Sequence, residues 1–312
     1  MNFDHLEIAA IVPCHDEELT VGTVVRDLRE ALPQATVYVY DNCSGDRTAK
    51  VAAEAGAVVR AEDRKGKGNV VRRAFADIEA DVYLLIDGDD TYDAAAAPLL
   101  VETLLAGPYD HVVGCRVDTA VHSSYRPGHA WGNRMINRAT SLAFGEPVSD
   151  MLSGYRAFSR RYIKSFPANS QQFEIETELT IHAAALRVPQ TEVPIGFKNR
   201  PEGSESKLST FRDGFKILGL IGHLLLHERP LLVCNLLSAL AALAGLALGL
   251  PVVADFVRTG LVERFPTAIL ASSLVLLAAL LAGVGVMLNG VLRGRQEMRR
   301  LIYLQLPAPP RS

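Results

Sequence analysis

The chain has 312 residues, a formal net charge of −3 and 49% hydrophobic residues, which suffices for one large domain or two ordinary ones with substantial cores. An aromatic share of 7% and a charged share of 21% exclude a disordered or collagen-like chain, and the near-neutral balance argues against a nucleic-acid-binding protein. The average hides a split, because residues 230–312 contain seven arginines and three acids, a net +4, whereas residues 1–229 carry −7.

Short apolar runs that end in polar loops alternate with helical patterns through the first third of the chain. The pattern predicts strands at 6–12, 36–40, 57–60, 82–86 and 111–115. It predicts helices at 17–32, 46–55, 68–79 and 94–106. This alternation predicts an α/β fold with a doubly wound, mostly parallel sheet. Ligands of such folds bind beyond the carboxyl ends of the strands, so the candidate site consists of the loops at 13–18, 41–47 and 87–93.

The pattern is less regular from 128 to 208, where helices are predicted at 129–144 and 174–186. Between Phe211 and His227, apolar residues recur on one helical face. Such a face is ordinarily that of a surface helix. Its position directly before an apolar run favours a helix that lies on the bilayer surface.

Two uncharged runs follow, at 230–254 and 265–292, and both exceed the ~20 residues that cross a hydrocarbon core. The alternative, a buried hairpin of a soluble protein, is disfavoured because both runs are rich in Leu, Ala and Gly. Cations flank the outer ends of the two runs, at Lys207, Arg212, Lys216 and Arg229 on one side and at Arg293, Arg295, Arg299 and Arg300 on the other. By the positive-inside rule, we expect a two-pass integral membrane protein whose N-terminal body and C-terminus are cytoplasmic.

The expected domains are therefore 1–208, an interfacial helix at 209–229, and a membrane hairpin with a basic tail at 230–312. Acidic residues among the first twenty argue against a signal peptide, and four isolated cysteines favour a reducing compartment over a disulfide framework. Small residues in the first apolar run either allow a homo-oligomer through the membrane helices or pack the hairpin against itself; they are Ala239, Ala242, Gly245 and Gly249.

The strongest chemical signal is the sequence DGDD at 87–90, directly after the strand predicted at 82–86. Carboxylates at Asp87 and Asp89 can face one hard cation from a single turn, and Mg²⁺ or Mn²⁺ bound there takes its remaining ligands from water and phosphate oxygens. The alternative is a solvated acidic turn, since Asp and Gly favour turns whatever their function.

Two further loops and a basic segment accompany this motif. Residues 11–18 (IVPCHDEE) close the first strand and residues 40–46 (YDNCSGD) close the second, where Asp41 and Asp46 can accept hydrogen bonds from a base or a ribose. Residues 64–69 (RKGKGN) precede a helix and place cations where phosphates approach; the segment is not a Walker A loop, and the alternative, for the segment taken alone, is a basic turn with a glycine N-cap.

The order of these parts resembles the family 2 glycosyltransferases with the nucleotide-diphospho-sugar (GT-A) fold, over about residues 7–208. Within that family the chain is most similar to the dolichyl- or polyprenyl-phosphate sugar synthases. Three segments carry this closer likeness: 150–158 (DMLSGYRAF), 173–179 (FEIETEL) and 200–208 (RPEGSESKL). The chain departs from the common family pattern at residues 14–16 (CHD), where A-Y-N is more frequent, and at Thr91, where many relatives have Gln.

The resemblance implies roles for individual residues. Asp87 and Asp89 would lie at a Mg²⁺ or Mn²⁺ ion, and Asp89, Arg200 and Lys207 would be catalytic. The nucleotide sugar would contact Pro13, His15, Glu17, Asp41, Lys67, Asp87 and Asp89. The acceptor phosphate would contact Arg116, Arg134, Arg138, Ser153, Tyr155 and Arg156; guanidinium groups bind phosphate in a bidentate manner, while the alternative for the arginines is an ordinary exposed helix surface. Among the alternating glutamates of 173–179, Glu176 is expected to face inward.

The expected activity is an inverting, metal-dependent transfer of a sugar, with GlcNAc or Glc favoured, from a UDP-sugar to a polyprenyl or dolichyl phosphate at the cytoplasmic membrane face. Transfer of mannose from GDP-mannose is the alternative within the same class. A processive polysaccharide synthase would carry a Q-x-x-R-W element, whereas the single tryptophan, Trp131, lies well before the expected position. A non-catalytic membrane scaffold is the third alternative, and the acids at all three strand exits argue against it.

Overall fold

A computed structural model describes residues 3, 5–118, 149–168, 170, 174–198 and 229–310. The described residues fall into two compact units. The first contains the N-terminal body together with the residues from Met298 onward, and the second contains residues up to Glu297 of the C-terminal hairpin. The sequence grouped the tail after Met298 with the hairpin instead, and the predicted boundary at 208 lies outside the described residues.

Seven described strands of the first unit form one sheet, in the order β3-β2-β1-β4-β6-β5-β7. Six of them run in one direction, and β6 is antiparallel to both of its neighbours. Their bounds are β1 Ile8–Cys14, β2 Ala35–Asp41, β3 Val58–Ala61, β4 Val82–Leu85, β5 His111–Asp118, β6 Arg156–Ser159 and β7 Gln190–Phe197.

Helices cover both faces of this sheet, which explains why its central strands are continuous apolar runs. On one face, α1 and α4 pack against alternate residues of β1 such as Val12. On the other, α3 and α6 pack against the intervening residues such as Ile11. The helices are α1 Val21–Ala31, α2 Thr48–Glu54, α3 Lys67–Asp77, α4 Ala97–Ala106 with a 3₁₀ turn at Ala94–Ala96 before it, α5 Arg160–Ser165 and α6 Ile175–Leu186.

The predicted doubly wound, mostly parallel α/β fold is confirmed. The five predicted strands and the helix at 174–186 are present with small shifts at their ends. Strands β6 and β7 were not identified from the sequence, because both are short or interrupted by polar residues. The predicted helix at 129–144 lies outside the described residues, as does the predicted interfacial helix apart from Arg229.

Two long apolar helices make up the C-terminal part: α7 Pro230–Thr259 and α8 Phe265–Gln305. Both are long and apolar enough to cross a membrane, and most of their leucines are exposed, as expected of a lipid-facing surface. A side chain at Gly245 would come within 3.0 Å of the Ala271 carbonyl oxygen, and one at Gly249 within 3.3 Å of the Ala271 side chain. These two glycines therefore pack α7 against α8 of the same chain, and a homo-oligomer stays a prediction.

The last turns of α8 belong to the first unit. The Tyr303 hydroxyl donates a 2.7 Å hydrogen bond to Asp110, which is fully buried at the start of β5. The guanidinium of Arg161 makes a bidentate pair with the same carboxylate at 2.5 and 2.6 Å and lies over the Tyr303 ring. Arg300 donates to the Leu186 carbonyl oxygen at the end of α6. The tail is thus attached through a buried charged cluster.

Candidate active site

The three suspected loops lie at one edge of the sheet. Strand β1 pairs in parallel with β2, in register Cys14 with Asp41, and on its other side with β4, in register Ile11 with Leu85. The carboxyl ends of these adjacent strands therefore place residues 13–18, 41–47 and 87–93 side by side, as the sequence predicted. Burial raises the pKa of the Cys14 thiol well above its ordinary value, and nearby carboxylates raise it further. These carboxylates come from all three loops: Glu17, Asp41, Asp87 and Asp89.

Hydrogen bonds between the first two loops make this edge a preformed surface. Gly45 N donates to Asp16 at 2.7 Å, and Glu17 N donates to the Thr48 hydroxyl at 2.8 Å. Asp46 accepts from Thr48 N at 2.9 Å and from Glu18 N at 3.1 Å. Although its partial burial acts in the opposite direction, a hydrogen bond from the Thr48 hydroxyl together with these two bonds holds the pKa of Asp46 below its ordinary value. Asp46 thus braces the two loops, and its contact with a base or ribose stays a prediction.

Each of the three loops contains one non-glycine residue with positive φ: Asp16 at 53°, Cys43 at 59° and Asp90 at 56°. This left-handed conformation costs on the order of 1 kcal/mol or more per residue and persists only where the surroundings impose it. Backbone strain of this kind clusters at functional sites. Its presence at all three strand exits agrees with the placement of the site there.

Asp41 presents an unused acceptor at this edge. Its Oδ1 atom is buried and has no hydrogen-bond partner within the described part of the chain. Buried polar atoms are normally paired, so an orphan of this kind calls for an explanation such as a ligand. The neighbouring His15 has its Nε2 atom 3.5 Å from Asp16, Glu17 is half-buried, and Pro13 lies within β1 opposite Tyr40.

Asn42 organises the basic segment and was missed as a site residue by sequence reasoning. Its amide donates to the carbonyl oxygens of Glu62 and Arg64, both at 2.8 Å, and its Oδ1 atom accepts from Gly66 N at 2.6 Å. The side chain is buried, so the segment that leads into α3 is fixed by the end of β2. The sequence feature that could have identified Asn42 is its position as a polar residue directly after the predicted second strand.

The DGDD turn holds Asp89 in a defined position. Its Oδ1 atom accepts from the Thr91 hydroxyl at 2.6 Å and from Thr91 N at 3.2 Å, and only 8% of Asp89 is exposed. The Gly88 carbonyl oxygen accepts from Thr20 at 2.7 Å, and a side chain at Gly88 would collide with Cys14. Thr91 thus orients Asp89 at the position where many relatives of the resembled family have Gln.

Asp87 forms an ion pair with the Lys67 ammonium, which also contacts Glu176 at the start of α6. The side chains of Lys67 and Glu176 are only 10% and 5% exposed. Burial disfavours the charged ammonium, but the two carboxylates outweigh it and raise the pKa of Lys67 well above its ordinary value. Glu176 therefore faces inward, as the sequence predicted, and belongs to the candidate site although it was not among the predicted ligands.

The donor atoms at this turn suit a hard divalent cation. Asp87 and Asp89 supply carboxylate oxygens, the ligand type that Mg²⁺ and Mn²⁺ prefer. No group of three His, Cys, Asp or Glu side chains with metal-binding geometry occurs in the described ranges. Mg²⁺ is commonly held by one or two carboxylates together with water and substrate phosphates, so this donor set fits a cation that binds with a phosphorylated ligand.

The predicted acceptor residues that the structure describes are engaged within the protein. Arg116 makes a bidentate pair with Asp150, at 2.7 and 2.6 Å, and lies over the Phe197 ring. Although burial raises it, this pair holds the pKa of Asp150 below its ordinary value. Arg116 is thus held at the end of β5, near the isolated bridge between Tyr92 and Phe197, and its role at a phosphate stays a prediction.

Ser153, Tyr155 and Arg156 are completely buried. The Ser153 hydroxyl donates to the Gly114 carbonyl oxygen at 2.5 Å, and that of Tyr155 lies 3.4 Å from the Ala94 carbonyl oxygen. The Arg156 guanidinium donates to the carbonyl oxygens of Met151 and Ser153 and to the Thr180 hydroxyl, at 2.6, 2.8 and 2.9 Å. These contacts fix residues 153–156, which lie next to Asp87. Direct contact of these residues with a phosphate stays a prediction.

The remaining predicted site residues, Arg134, Arg138, Arg200 and Lys207, lie outside the described residues. The structure therefore brings together Asp41, Lys67, Asp87, Asp89 and Glu176 at one edge of the sheet, while the predicted acceptor cations are described only at Arg116 and Arg156.

Comparison with known proteins identifies the class to which this fold and site belong. Residues 9–166, half of the chain, match the model of glycosyl transferase family 2. The chain is 34% identical to glycosyltransferase AglJ of Haloferax volcanii over 96% of its own length and 98% of that protein. It is 29% identical to the dolichyl-phosphate hexose transferase of the same organism, over 72% of this chain and 96% of that one.

Among solved structures, a similar one is that of glucosyl-3-phosphoglycerate synthase from Mycobacterium tuberculosis in complex with Mn²⁺, UDP-glucose and phosphoglyceric acid. It matches with a TM-score of 0.54 and 24% identity, over 64% of this chain and 74% of that chain, and shows that the fold is shared. The chain belongs to glycosyl transferase family 2. It is accordingly a glycosyltransferase, and the alternative hypothesis of a non-catalytic membrane scaffold is not supported.

Proposed function

We propose that this glycosyltransferase moves a sugar from a nucleoside diphosphate sugar to a polyprenyl or dolichyl phosphate at a membrane surface, with the help of Mg²⁺ or Mn²⁺. The observation that supports a nucleotide-sugar donor is the edge where the unpartnered Asp41 oxygen, Lys67 and the two carboxylates of the DGDD turn converge. The same fold holds Mn²⁺ and UDP-glucose in the mycobacterial synthase.

The lipid acceptor is supported by two independent features. Helices α7 and α8 are long and apolar enough to cross a membrane, and one relative is named a dolichyl-phosphate hexose transferase. In the proposed topology the cations beside both apolar runs lie in the cytoplasm, so that the donor reaches the catalytic unit and the acceptor headgroup lies at the membrane surface. The proposed division of the chain is a catalytic domain at 1–208, an interfacial helix at 209–229 and a hairpin at 230–312.

In the proposed reaction, an oxygen of the acceptor phosphate attacks C1 of the sugar from the side opposite the leaving nucleoside diphosphate, and the configuration at C1 inverts. A phosphate monoester has a second pKa of ~6 and is largely a dianion at neutral pH, so it requires positioning and charge neutralisation more than a general base. When bound at Asp87 and Asp89, the cation would supply positive charge to the diphosphate. Asp41 would hold the base, and Lys67 would lie toward the diphosphate.

We favour GlcNAc or Glc as the transferred sugar, with mannose from GDP-mannose as the second candidate. The decisive experiment incubates the purified full chain in detergent with Mn²⁺ or Mg²⁺, a short-chain polyprenyl phosphate and each of UDP-GlcNAc, UDP-Glc and GDP-Man. We expect a glycosyl phosphate lipid from one donor. The absence of a lipid product with every donor would contradict the proposal.

The role of Asp89 is tested by Asp89→Asn, which removes the charge and keeps the shape. We expect transfer to fall by at least about 10²-fold because transition-state charge stabilisation is lost, with an unchanged thermal midpoint. The matched control is Asp93→Asn, in the same loop, where the exposed side chain caps the next turn by accepting from Ala95 N at 3.0 Å. Equal activity of the two variants would contradict the assignment of Asp89.

A further inference from the structure

Lys67 lies between two carboxylates that come from different parts of the fold. It opens α3, and its ammonium contacts Oδ1 of Asp87 on the DGDD turn and Oε1 of Glu176 on α6. Its backbone position is fixed from a third direction, because Asn42 accepts a hydrogen bond from Gly66 N directly before it. The three charged groups therefore form a preorganised cluster. Within it, the Lys67 side chain can shift only between Asp87 and Glu176.

In this arrangement the Lys67 ammonium repels any cation that approaches Asp87. Two positive charges that share one carboxylate repel each other, and burial strengthens the repulsion because the local dielectric constant is lower than that of water. Gly154 packs closely against the other side of Asp87, where an added Cβ would lie 2.8 Å from the Asp87 Cγ atom, so the carboxylate can move away from Lys67 only toward solvent. A cation that binds Asp87 therefore competes with the ammonium for this carboxylate.

Glu176 offers a place for the displaced ammonium. Its Oε2 atom is buried and lacks a hydrogen-bond partner among the residues that the structure describes. An ammonium has three donors, so a small rotation of the Lys67 side chain can replace the lost contact with Asp87 by one with Oε2. The unused acceptor capacity of Glu176 thus makes the exchange less unfavourable than release of Lys67 into solvent.

We infer that Glu176 is a positioning residue that retains Lys67 when a divalent cation takes its place on Asp87, so that the ammonium then faces the donor diphosphate. This inference rests on the proposed function. Its consequence is that the cation and the nucleotide strengthen each other's binding: the cation frees Lys67 from Asp87, and the freed charge attracts the diphosphate. Such a coupling is reciprocal by thermodynamic necessity.

The test is a titration of the full chain in detergent with Mn²⁺ alone, followed by electron paramagnetic resonance, and calorimetry of UDP binding with and without Mn²⁺. Neither measurement requires turnover. In Glu176→Gln, Lys67 loses its second anchor, and we expect Mn²⁺ alone to bind about tenfold more weakly because Lys67 stays on Asp87. Glu176→Asp keeps the charge and should recover most of the affinity. The matched control is Glu174→Gln, an exposed residue at the start of the same helix.

The double variant Lys67→Met with Glu176→Gln removes one positive and one negative charge and leaves Asp87 unpaired. We expect Mn²⁺ alone to bind about tenfold more tightly than to the wild type, while the strengthening of UDP binding by Mn²⁺ shrinks by about the same factor. Opposite shifts of these two quantities test whether Lys67 competes with the cation at Asp87, whereas the role of Glu176 is measured by comparing Glu176→Gln with Glu176→Asp.

The outcomes separate the inference from the proposed function. If the wild type binds no Mn²⁺ even with UDP present, the proposed metal dependence fails. If the wild type binds Mn²⁺ but Glu176→Gln and Glu174→Gln both stay within twofold of it, the inference fails and the proposed function stands. Should the double variant show no thermal unfolding transition, the comparison of Glu176→Gln with Glu176→Asp decides alone.

Discussion

Gly154 lies directly behind the Asp87 carboxylate, and its replacement by alanine tests whether the position of that carboxylate controls transfer. An added Cβ would lie 2.8 Å from Cγ and 3.0 Å from Oδ1 of Asp87. The backbone at 154 is not in the left-handed region. Alanine therefore acts at this position by displacing Asp87, without backbone strain of its own.

The size of the effect follows from these distances. Carbon atoms pack best at roughly 3.5–4.0 Å, so the Asp87 carboxylate must move by on the order of 1 Å. A misplacement of about 1 Å at a reacting centre can lower the rate by roughly 10²-fold. The cost in stability should be small, since the Asp87 side chain is 27% exposed and can move toward solvent. The backbone hydrogen bond from Gly154 N to the Tyr92 hydroxyl is retained.

The assay measures initial rates of glycosyl phosphate lipid formation, together with the thermal midpoint of the same preparation. We expect Gly154→Ala to lose about 10²-fold in kcat/KM with a midpoint within a few degrees of the wild type. Gly45→Ala is the matched control, because its added Cβ would meet only Asp16 at 3.9 Å, an ordinary contact in the same group of loops. Activity of Gly154→Ala within twofold of the wild type would refute the reasoning.

Two further predictions concern the stability of the catalytic unit. Burial first, and then Arg299, lowers the pKa of His182 to about 3, and burial with Arg156 lowers that of His111 well below its ordinary value. The unfolded chain protonates both histidines near pH 6.5, whereas the folded chain keeps them neutral. Their contribution to the free energy of unfolding should therefore be constant above that pH and fall below it, by about 1.4 kcal/mol per pH unit for each histidine. Thermal midpoints between pH 5 and 8 measure this, and His182→Gln should roughly halve the slope; an unchanged slope would exclude His182 as a source. Tyr303→Phe removes the hydroxyl that donates to buried Asp110 and should destabilise the unit by about 1.5–3 kcal/mol, whereas Leu304→Ala, at an exposed position, should leave the midpoint unchanged. Equal midpoints for the two variants would mean that the hydrogen bond from Tyr303 to Asp110 contributes no stability.

The parts of the fold that follow local rules could be predicted from the sequence. The run at 82–86 is continuous and apolar because β4 is covered by helices on both faces, and it stops at Asp87 because the strand ends there. Strand β6 was not predicted, because its sequence is not a continuous apolar run. Its four residues begin with Arg156, whose charge suggests an exposed loop, yet three carbonyl and hydroxyl oxygens satisfy the buried guanidinium.

The candidate site shows the same division between local and long-range information. Asp41, Asp87 and Asp89 follow strands directly, so the alternation of strands and helices sufficed to place them at one edge. Glu176 is distant in the sequence from Lys67 and Asp87, and no periodicity reports that α6 returns to that edge. Asp46 has the composition and place of a ligand, and only the structure shows that its bonds to Thr48 and Glu18 brace two loops.

The sequence by itself determined the class of fold, the edge of the sheet that carries the acids, and the two apolar helices, because each depends on a pattern that neighbouring residues share. Only the tertiary structure decided which polar groups are already satisfied and which are left with unused capacity, because that depends on partners brought together across the sheet. It separates Arg156 and Asp46, whose polar atoms bond within the protein, from Asp41 and Glu176, which each keep a buried oxygen with no partner in the described parts of the chain.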